Sequence, residues 1–231
     1  MADTALALVH DVPSENRRAM LGSLSPALER RGFTVDIRDA CEMDTIDLAG
    51  VDVLCVMGSA ASVDDAARDW IAAEMRLLQA ADAADTPIFG ICFGGQILAR
   101  ALGGSVGPSA EPEHGFTRIR STRPELVPAG PWMQFHHDTI GVPARAEVIA
   151  RTDHNVQAYA LGRHLGVQFH PEITPECFAL WCRRMPATDP AATGIDLVAI
   201  AAEVERRSRS AATACDELLG RFLDLVDGGG T

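Results

Sequence analysis

A short glycine-rich segment constrains the fold of this chain more than any other feature. Residues 90–96 read GICFGGQ, after the apolar run 87–89 and before the helix-like stretch 97–102. That order predicts a strand, a sharp turn and a helix, with Cys92 at the turn. Glycines on both sides let the backbone turn without Cβ clashes. The N-terminus of the following helix favours the thiolate form of the cysteine.

Apolar runs and helical stretches alternate along the first part of the chain. The pattern predicts strands at 6–9, 33–37, 51–57 and 88–91, and helices at 17–30 and 66–81. Further strands are predicted at 116–119, 147–152, 157–161 and 165–169, the last two flanking a hairpin turn at 162–164. We therefore expect an α/β fold, a three-layer α/β/α sandwich around a mixed, mostly parallel central sheet.

The C-terminal part of the chain has a different pattern. Residues 187–190 resemble a linker, and residues 195–226 contain apolar positions at helical spacing that predict two amphipathic helices, ended by the glycines at 228–230. We expect their apolar stripes to pack on the preceding domain. The predicted division is a domain over 1–185 and a C-terminal helical extension over 186–231.

Composition excludes several classes of function. The net charge of −12 and the pI near 4.9 argue against nucleic acid and anionic membranes as partners. All 20 basic residues are Arg, which excludes a Lys-dependent phosphate loop and a Lys Schiff base. The six cysteines form no CxxC pair, and neither a signal peptide nor a transmembrane run is evident. We therefore expect reduced thiols in a cytoplasmic protein.

A second segment supplies partners for the cysteine. Residues 168–172 read QFHPE and end another apolar run. His170 is a candidate general base and acid, and Glu172 is placed to orient its ring, while Pro171 fixes the backbone between them. A single Cys or His is more often structural. The strand-turn-helix context of Cys92 together with the downstream His and Glu favours a catalytic triad.

Four stretches together resemble a known family. They are VMGS at 56–59, GICFGGQ at 90–96, FHHD at 135–138 and QFHPE at 168–172. Their order and separation resemble the class I, triad-type glutamine amidotransferase domains over roughly residues 5–185, in particular stand-alone glutaminase-like members of the GMP-synthase type. The resemblance implies a flavodoxin-like fold, a Cys-His-Glu triad and no metal or organic cofactor.

The resemblance also implies further site residues. The backbone N–H groups of Ser59 and Phe93 would form an oxyanion hole. The implied substrate-binding positions are Gly58, Gln96, Phe135 and His136, the last two in a loop that binds through its backbone. Related domains usually have glycine where this chain has Ser59, a difference that matters if the position needs a positive φ. No third ligand stands at a recognisable spacing from the tandem histidines 136–137, so no metal site is predicted.

The activity that the resemblance implies is hydrolysis of the glutamine side-chain amide through a cysteinyl thioester. The ammonia would pass to a synthase subunit on a separate chain, since no nucleotide site for activating an acceptor is recognisable here. Two alternatives stay open. One is a γ-glutamyl hydrolase or peptidase using the same triad on a γ-glutamyl compound, and the other is a non-catalytic regulatory subunit that keeps the fold.

Overall fold

The computed structural model describes residues 2–185 and 194–228. The strands are β1 (Thr4–Val9), β2 (Thr34–Asp39), β3 (Val53–Val56), β4 (Ile88–Ile91), β5 (Ser105–Thr117), β6 (Arg120–Ser121), β7 (Trp132–Gly141), β8 (Glu147–Arg151), β9 (Val156–Leu161) and β10 (His164–Val167). The helices are α1 (Arg17–Met20), α2 (Leu24–Arg30), α3 (Asp69–Ala83), α4 (Phe93–Ala101), α5 (Pro175–Arg184) and α6 (Leu197–Gly228), with short 3₁₀ segments at Ser14–Asn16 and Ala40–Thr45. The predicted linker at 187–190 and the glycines at 229–230 lie outside the described residues.

The main sheet has eight strands in the order β2-β1-β3-β4-β10-β9-β8-β6. Strands β2 to β10 in this order pair in parallel, and β9, β8 and β6 continue the sheet by antiparallel pairing. The predicted mixed, mostly parallel sheet is confirmed. Because β4 and β10 are parallel neighbours with Ile91 opposite Val167, the segments that carry Cys92 and His170 leave the sheet at the same edge.

Helices cover both faces of this sheet. On one face, α2 and the C-terminal half of α6 enclose a core that includes Leu28 and Phe222. On the other, α3 and α4 enclose a core that includes Leu78 and Ile97. Strands β3 and β4 are buried along their whole length, which accounts for their continuous apolar sequence. The predicted three-layer sandwich is confirmed. No helix in the two described ranges has both the length and the apolar character needed to cross a membrane.

Strands β5 and β7 form a separate antiparallel sheet. The predicted strand at 116–119 has the wrong bounds, because residues 116–117 end β5 and the next strand begins at Arg120. Strand β5 has one fully buried residue and contains two prolines, and both features obscure a strand pattern. The sequence pattern does not predict β7 at all. Its Met133 carbonyl accepts the backbone N–H of His170 at 2.8 Å, so the small sheet holds the candidate catalytic histidine.

The single helix predicted over 17–30 is wrong, because α1 and α2 are separated by a turn at 21–23. In that turn Gly22 has φ +48°, and a Cβ there would lie 2.0 Å from the carbonyl oxygen of Glu172. Only glycine permits so close an approach in this conformation. The same oxygen accepts the backbone N–H of Ser23 at 2.9 Å and its hydroxyl at 3.2 Å. The break in the helix therefore holds the backbone of the candidate triad carboxylate.

The two helices predicted at the C-terminus are wrong as separate elements, since residues 197–228 form one helix of 32 residues, α6. Near its start, Ile200 and Val204 pack in a cluster with α5. Further along, Leu218 and Phe222 enter the main core beside α2. The expectation that the apolar stripe packs on the domain is confirmed.

A polar stretch at 205–210 hides the continuity of α6 in the sequence. Within it, Arg207 pairs with Glu203 at 2.7 Å, and its guanidinium lies 5.1 Å from the ring centre of Phe116 on β5. The aliphatic part of a long basic side chain can cover apolar surface while its charge stays near water. Arg207 thus occupies a position on the packed face that a purely apolar pattern would not reveal.

Candidate active site

Cys92 lies between β4 and α4 in a backbone conformation that residues other than glycine rarely adopt. Its φ is 52° and its ψ is −110°, a backbone strain that clusters at functional sites. A Cβ at Gly94 would lie 2.0 Å from the Val56 carbonyl oxygen, and one at Gly90 would lie 2.6 Å from the Gly94 oxygen. The flanking glycines therefore allow α4 to start tightly against the sheet. The predicted strand, turn and helix are confirmed, and the thiol lies at the positive end of the helix dipole.

His170 and Glu172 form a buried pair beside this thiol. The distance between His170 Nδ1 and Glu172 Oε1 is 2.8 Å, and both residues are less than 5% exposed. Burial lowers the pKa of His170, but the charges of Glu172 and Cys92 and the hydrogen bond to Glu172 outweigh burial and raise that pKa to about 10. The ring therefore carries a proton at neutral pH, between a carboxylate and the sulfur.

Two glutamine side chains form a chain of contacts that ends at the Cys92 sulfur. Gln96, predicted to bind substrate, donates from Nε2 to Gln168 Oε1 at 3.2 Å. Gln168 Nε2 in turn lies 3.6 Å from Cys92 Sγ. A carboxamide N–H directed at sulfur can donate a hydrogen bond to it. Sequence reasoning placed Gln168 in a motif without giving its side chain a role, and the structure supplies one.

Gly58 lies directly against the candidate catalytic pair. A Cβ there would lie 2.9 Å from His170 Cε1 and 3.7 Å from the Cβ of Cys92. A side chain at this position would displace the imidazole, so only glycine fits at position 58. The loop that follows β3 therefore runs close to Cys92.

Ser59 and Phe93 carry the backbone N–H groups predicted to form the oxyanion hole. The non-glycine residues with positive φ in the described chain do not include Ser59, so the replacement of a second glycine introduces no strain. The Ser59 hydroxyl accepts the Ala61 N–H at 3.1 Å, whereas the Ser59 N–H has no acceptor among the described residues. Phe93 is the first residue of α4, where backbone N–H groups lack intrahelical acceptors.

The segment 135–138 lies within β7, so the expected loop is wrong. Backbone pairing with β5 fixes it, and that long-range pairing has no local sequence signal. The side chain of His136 turns inward, with Nδ1 2.9 Å from the Asp138 carbonyl oxygen and Nε2 3.1 Å from Glu113 Oε2. Because its ring is buried against these two groups, the predicted contact of His136 with a ligand would be made by its backbone. Phe135 packs near Trp181, with ring centres 5.9 Å apart.

These residues surround one cavity of about 870 Å³. The predicted residues that line it are Gly58, Ser59, Cys92, Gln96, Phe135, His136, His170 and Glu172. Its rim also includes Arg68 and Arg184, which bind the side chain and the backbone carbonyl of Asp11 respectively. Within residues 2–185 and 194–228, no three His, Cys, Asp or Glu side chains are grouped so that they could hold a metal ion.

Sequence reasoning missed two aromatic residues of the site. Trp181 on α5 lies edge-on to His170, with ring centres 4.5 Å apart, and nothing in its local sequence indicates this contact. His10 directly follows β1 and also lines the cavity. The position of His10 near the site could have been predicted, because the carboxyl ends of parallel strands form the ligand-binding edge of such sheets.

Comparison with known sequences places this site in a family. The family model "glutamine amidotransferase class-I" matches residues 14–179. A GMP synthase (glutamine-hydrolysing) of Aeropyrum pernix is 40% identical over 95 residues, which cover 38% of this chain and 19% of that protein. One subunit of the GMP synthase (glutamine-hydrolysing) of Ignicoccus hospitalis is 38% identical over 96 residues, covering 38% of this chain and 51% of that relative. The match therefore spans less than two thirds of either relative.

Solved structures share the fold. A glutamine amidotransferase from Thermotoga maritima superposes with a TM-score of 0.82 at 21% identity, over 97% of this chain and 99% of that one. A second, from Methylobacillus flagellatus, gives 0.81 at 22% identity, over 97% and 96% of the two chains. Both confirm the predicted fold class. The family match over most of the chain agrees with the order of its motifs, and this protein belongs to the class I glutamine amidotransferase family.

Proposed function

We propose that this chain hydrolyses the side-chain amide of glutamine through a thioester on Cys92. The observation that carries the proposal is that His170, 2.8 Å from the Glu172 carboxylate, lines the same cavity as Cys92, with Gly58 against both residues. The raised pKa of His170 supports it. A thiolate paired with an imidazolium is an activated nucleophile with a proton donor beside it.

The proposed reaction has two halves, formation and hydrolysis of the thioester, and each catalytic group acts in both. The Cys92 thiolate attacks the amide carbon. The amide oxygen becomes an anion, which accepts hydrogen bonds from the backbone N–H groups of Ser59 and Phe93. As the carbon–nitrogen bond breaks, His170 gives its proton to the leaving ammonia, and a γ-glutamyl thioester remains. Neutral His170 then takes a proton from water, which attacks the thioester, and glutamate leaves as the thiolate re-forms. Glu172 orients the ring and stabilises its protonated form.

The remaining predicted residues have binding roles in this proposal. The backbone of Phe135 and His136 would hold the α-amino and α-carboxylate groups, which fits the inward-turned side chain of His136. Gln96 would contact the substrate from the wall of the cavity. Its side chain is held by Gln168, so we expect binding to redirect one hydrogen bond rather than to order a free side chain.

We also propose that the ammonia is used by a synthase subunit on a separate chain. The chain has no Lys, which supports the absence of a Lys-dependent phosphate loop. Residues 1–185 would be the amidotransferase domain, and 186–231 a helical extension that stabilises it. The six free cysteines support the expectation of a reducing, cytoplasmic compartment.

A second candidate is hydrolysis of a larger γ-glutamyl compound by the same triad. The observation that favours it is the cavity volume of about 870 Å³, which falls in the range of sites for drug-sized ligands, larger than an amino acid. The chemistry at Cys92 would be unchanged, and the leaving group would be an amine or a peptide instead of ammonia.

The test compares leaving groups with the purified chain. Glutamine and a panel of γ-glutamyl amines and peptides are incubated with wild type and with Cys92→Ala, and glutamate release is measured. We expect slow glutamine hydrolysis that a cognate synthase accelerates, because a productive system closes its site only with its acceptor present. Fast cleavage of a γ-glutamyl amine beside poor glutamine turnover would reject the amidotransferase proposal in favour of the hydrolase.

A further inference from the structure

A second histidine–glutamate pair lies beneath the loop that follows β3. His10, at the end of β1, and Glu74, on α3, are both buried, and neither side chain is accessible to solvent. The distances from His10 Nε2 to the two Glu74 carboxylate oxygens are 3.1 and 3.2 Å. Neither residue has a part in the triad chemistry. A buried charged pair costs desolvation energy, so its presence beside the site calls for a role.

The contacts of His10 determine how its ring is protonated. Nδ1 lies 3.3 Å from the carbonyl oxygen of Gly58, and Nε2 faces the carboxylate of Glu74. Both partners can only accept hydrogen bonds, so the ring satisfies both only as an imidazolium that donates from each nitrogen. Burial lowers the pKa of His10, but the charge of Glu74 and hydrogen bonds to Glu74 and Gly58 outweigh it, and the pKa is raised.

The carbonyl that His10 holds belongs to the peptide whose N–H is the predicted oxyanion donor. In a trans peptide the C=O of Gly58 and the N–H of Ser59 point in opposite directions. A carbonyl fixed toward His10 therefore fixes the Ser59 N–H away from it. Donation from a cation also polarises the peptide and makes that N–H a stronger donor.

His10 also contacts the element that carries the other predicted donor. Its ring centre lies 4.9 Å from that of Phe93, at the start of α4, and 5.0 Å from that of Trp70. The imidazole, Phe93 and Trp70 thus form one aromatic cluster, and its packing restricts rotation of the His10 ring away from Gly58. His10 therefore contacts both the Gly58 carbonyl and the Phe93 ring, next to the two predicted donors of the oxyanion hole.

We propose that His10 is a positioning residue that fixes the Gly58–Ser59 peptide with its N–H available to the oxyanion, and that Glu74 keeps His10 in the form that donates from both nitrogens. This inference rests on the proposed function. It predicts a defect confined to steps that generate a negative oxygen, because the His10 side chain is inaccessible to solvent and its nitrogens face Glu74 and the Gly58 carbonyl.

The test uses two electrophiles that differ in this respect. A γ-glutamyl chloroketone is attacked at its carbonyl and passes through a tetrahedral oxyanion, whereas iodoacetamide is displaced directly and forms none. The variant is His10→Phe with Glu74→Met, which replaces the buried pair by apolar side chains of similar size, a change that is often neutral or stabilising. A purely structural role predicts loss of stability, whereas the positioning role predicts a chemical defect at unchanged stability.

We expect the chloroketone rate of this variant to fall by roughly tenfold or more, short of the 10²–10³-fold cost of deleting a donor outright. The iodoacetamide rate and the melting temperature should stay at or above their wild-type values. In the Glu74→Met background, His10→Asn restores a donor at the position of Nδ1 and should recover most of the chloroketone rate. His10→Leu has the shape of Asn without the donor and should not, and this contrast carries the test if the Phe variant fails to fold.

A matched control is the histidine–carboxylate pair of His164 and Asp82, with Nε2 and Oδ1 3.0 Å apart at the opposite edge of the sheet. His164→Phe with Asp82→Leu should leave the ratio of the two rates unchanged. If wild type shows no preference for the chloroketone over iodoacetamide, both the proposed function and the positioning role are overturned. A normal wild-type preference that survives in the Phe and Leu variants of His10 overturns the positioning role alone.

Discussion

Two buried histidine–glutamate pairs lie at the same edge of the sheet and differ in what each ring contacts on its other side. His170, paired with Glu172, also faces the cavity lined by Cys92, whose charge helps to raise the pKa of His170. His10, paired with Glu74, contacts a backbone carbonyl instead. A sulfur can exchange a proton with the ring, and a carbonyl oxygen cannot. In the proposed mechanism the same kind of pair therefore transfers a proton in one place and holds one in the other.

The largest expected effect comes from removing the ring that transfers protons. His170→Ala should lower kcat/KM for the best γ-glutamyl substrate by roughly 10⁴–10⁶-fold, as loss of the general base does in comparable triads. Steady-state kinetics against the His10→Asn, Glu74→Met variant checks the contrast, since that variant should stay within about tenfold of wild type. Equal losses in the two would show that the pairs do not have different roles.

A smaller effect is expected from neutralising the triad carboxylate. Because the pKa of His170 is raised to about 10, its protonated form persists through neutral pH, and kcat/KM should decline only as the pH approaches that value. Glu172→Gln removes the charge that raises this pKa, so the alkaline decline should move to lower pH with reduced activity. The pH dependence of kcat/KM is the measurement. An alkaline decline at the same pH in both proteins would contradict the assigned role of Glu172.

The close placement of the three candidate triad residues could be predicted from the sequence because local pattern encodes it. Cys92 stands between glycines at a strand end, and His170 and Glu172 lie two residues apart after another strand, so backbone geometry alone brings each into place. The parallel order of the strands does the rest, since it puts both strand ends at one edge. These parts depend on short-range signals and on general rules of topology.

The parts that failed depend on contacts between distant segments. Gly22 breaks a helix because its backbone meets the carbonyl of Glu172, 150 positions away in the chain, and no helical pattern can register that. The FHHD segment became a strand because β5 pairs with it. His10 and Glu74 each look like ordinary polar residues, and their pairing across β1 and α3 appears only in the folded chain.

Lost activity can be separated from lost stability with a core variant that belongs to neither pair and does not line the cavity. Phe222 on α6 stacks on Phe89, with ring centres 5.2 Å apart, and is fully buried. Phe222→Ala should reduce the free energy of unfolding by about 3–5 kcal/mol and leave kcat of the folded fraction unchanged. The exposed Asp224→Ala on the same helix is the control, with an expected change within about 0.5 kcal/mol. A fall in kcat with the fold intact would refute this separation.

The smallest effect is expected at the oxyanion loop itself. Ser59→Gly keeps the backbone N–H and removes only the hydroxyl that accepts the Ala61 N–H. Activity should stay within a few-fold of wild type, and Ser59→Ala should behave alike, because a backbone donor does not depend on its side chain. Kinetics beside a circular dichroism melt checks this. A large loss of kcat in a folded Ser59→Gly protein would mean that the hydroxyl takes part directly.

The central claim is that Cys92 forms a γ-glutamyl thioester, and the intact mass of the chain tests it most directly. The protein is mixed with a rapidly acylating γ-glutamyl substrate, quenched in acid within the first turnover and weighed by mass spectrometry. We expect an added γ-glutamyl group that maps to Cys92 in wild type and is absent from Cys92→Ala, which should also release no glutamate. Glutamate release by Cys92→Ala at the wild-type rate, or an adduct on another residue, would contradict the claim.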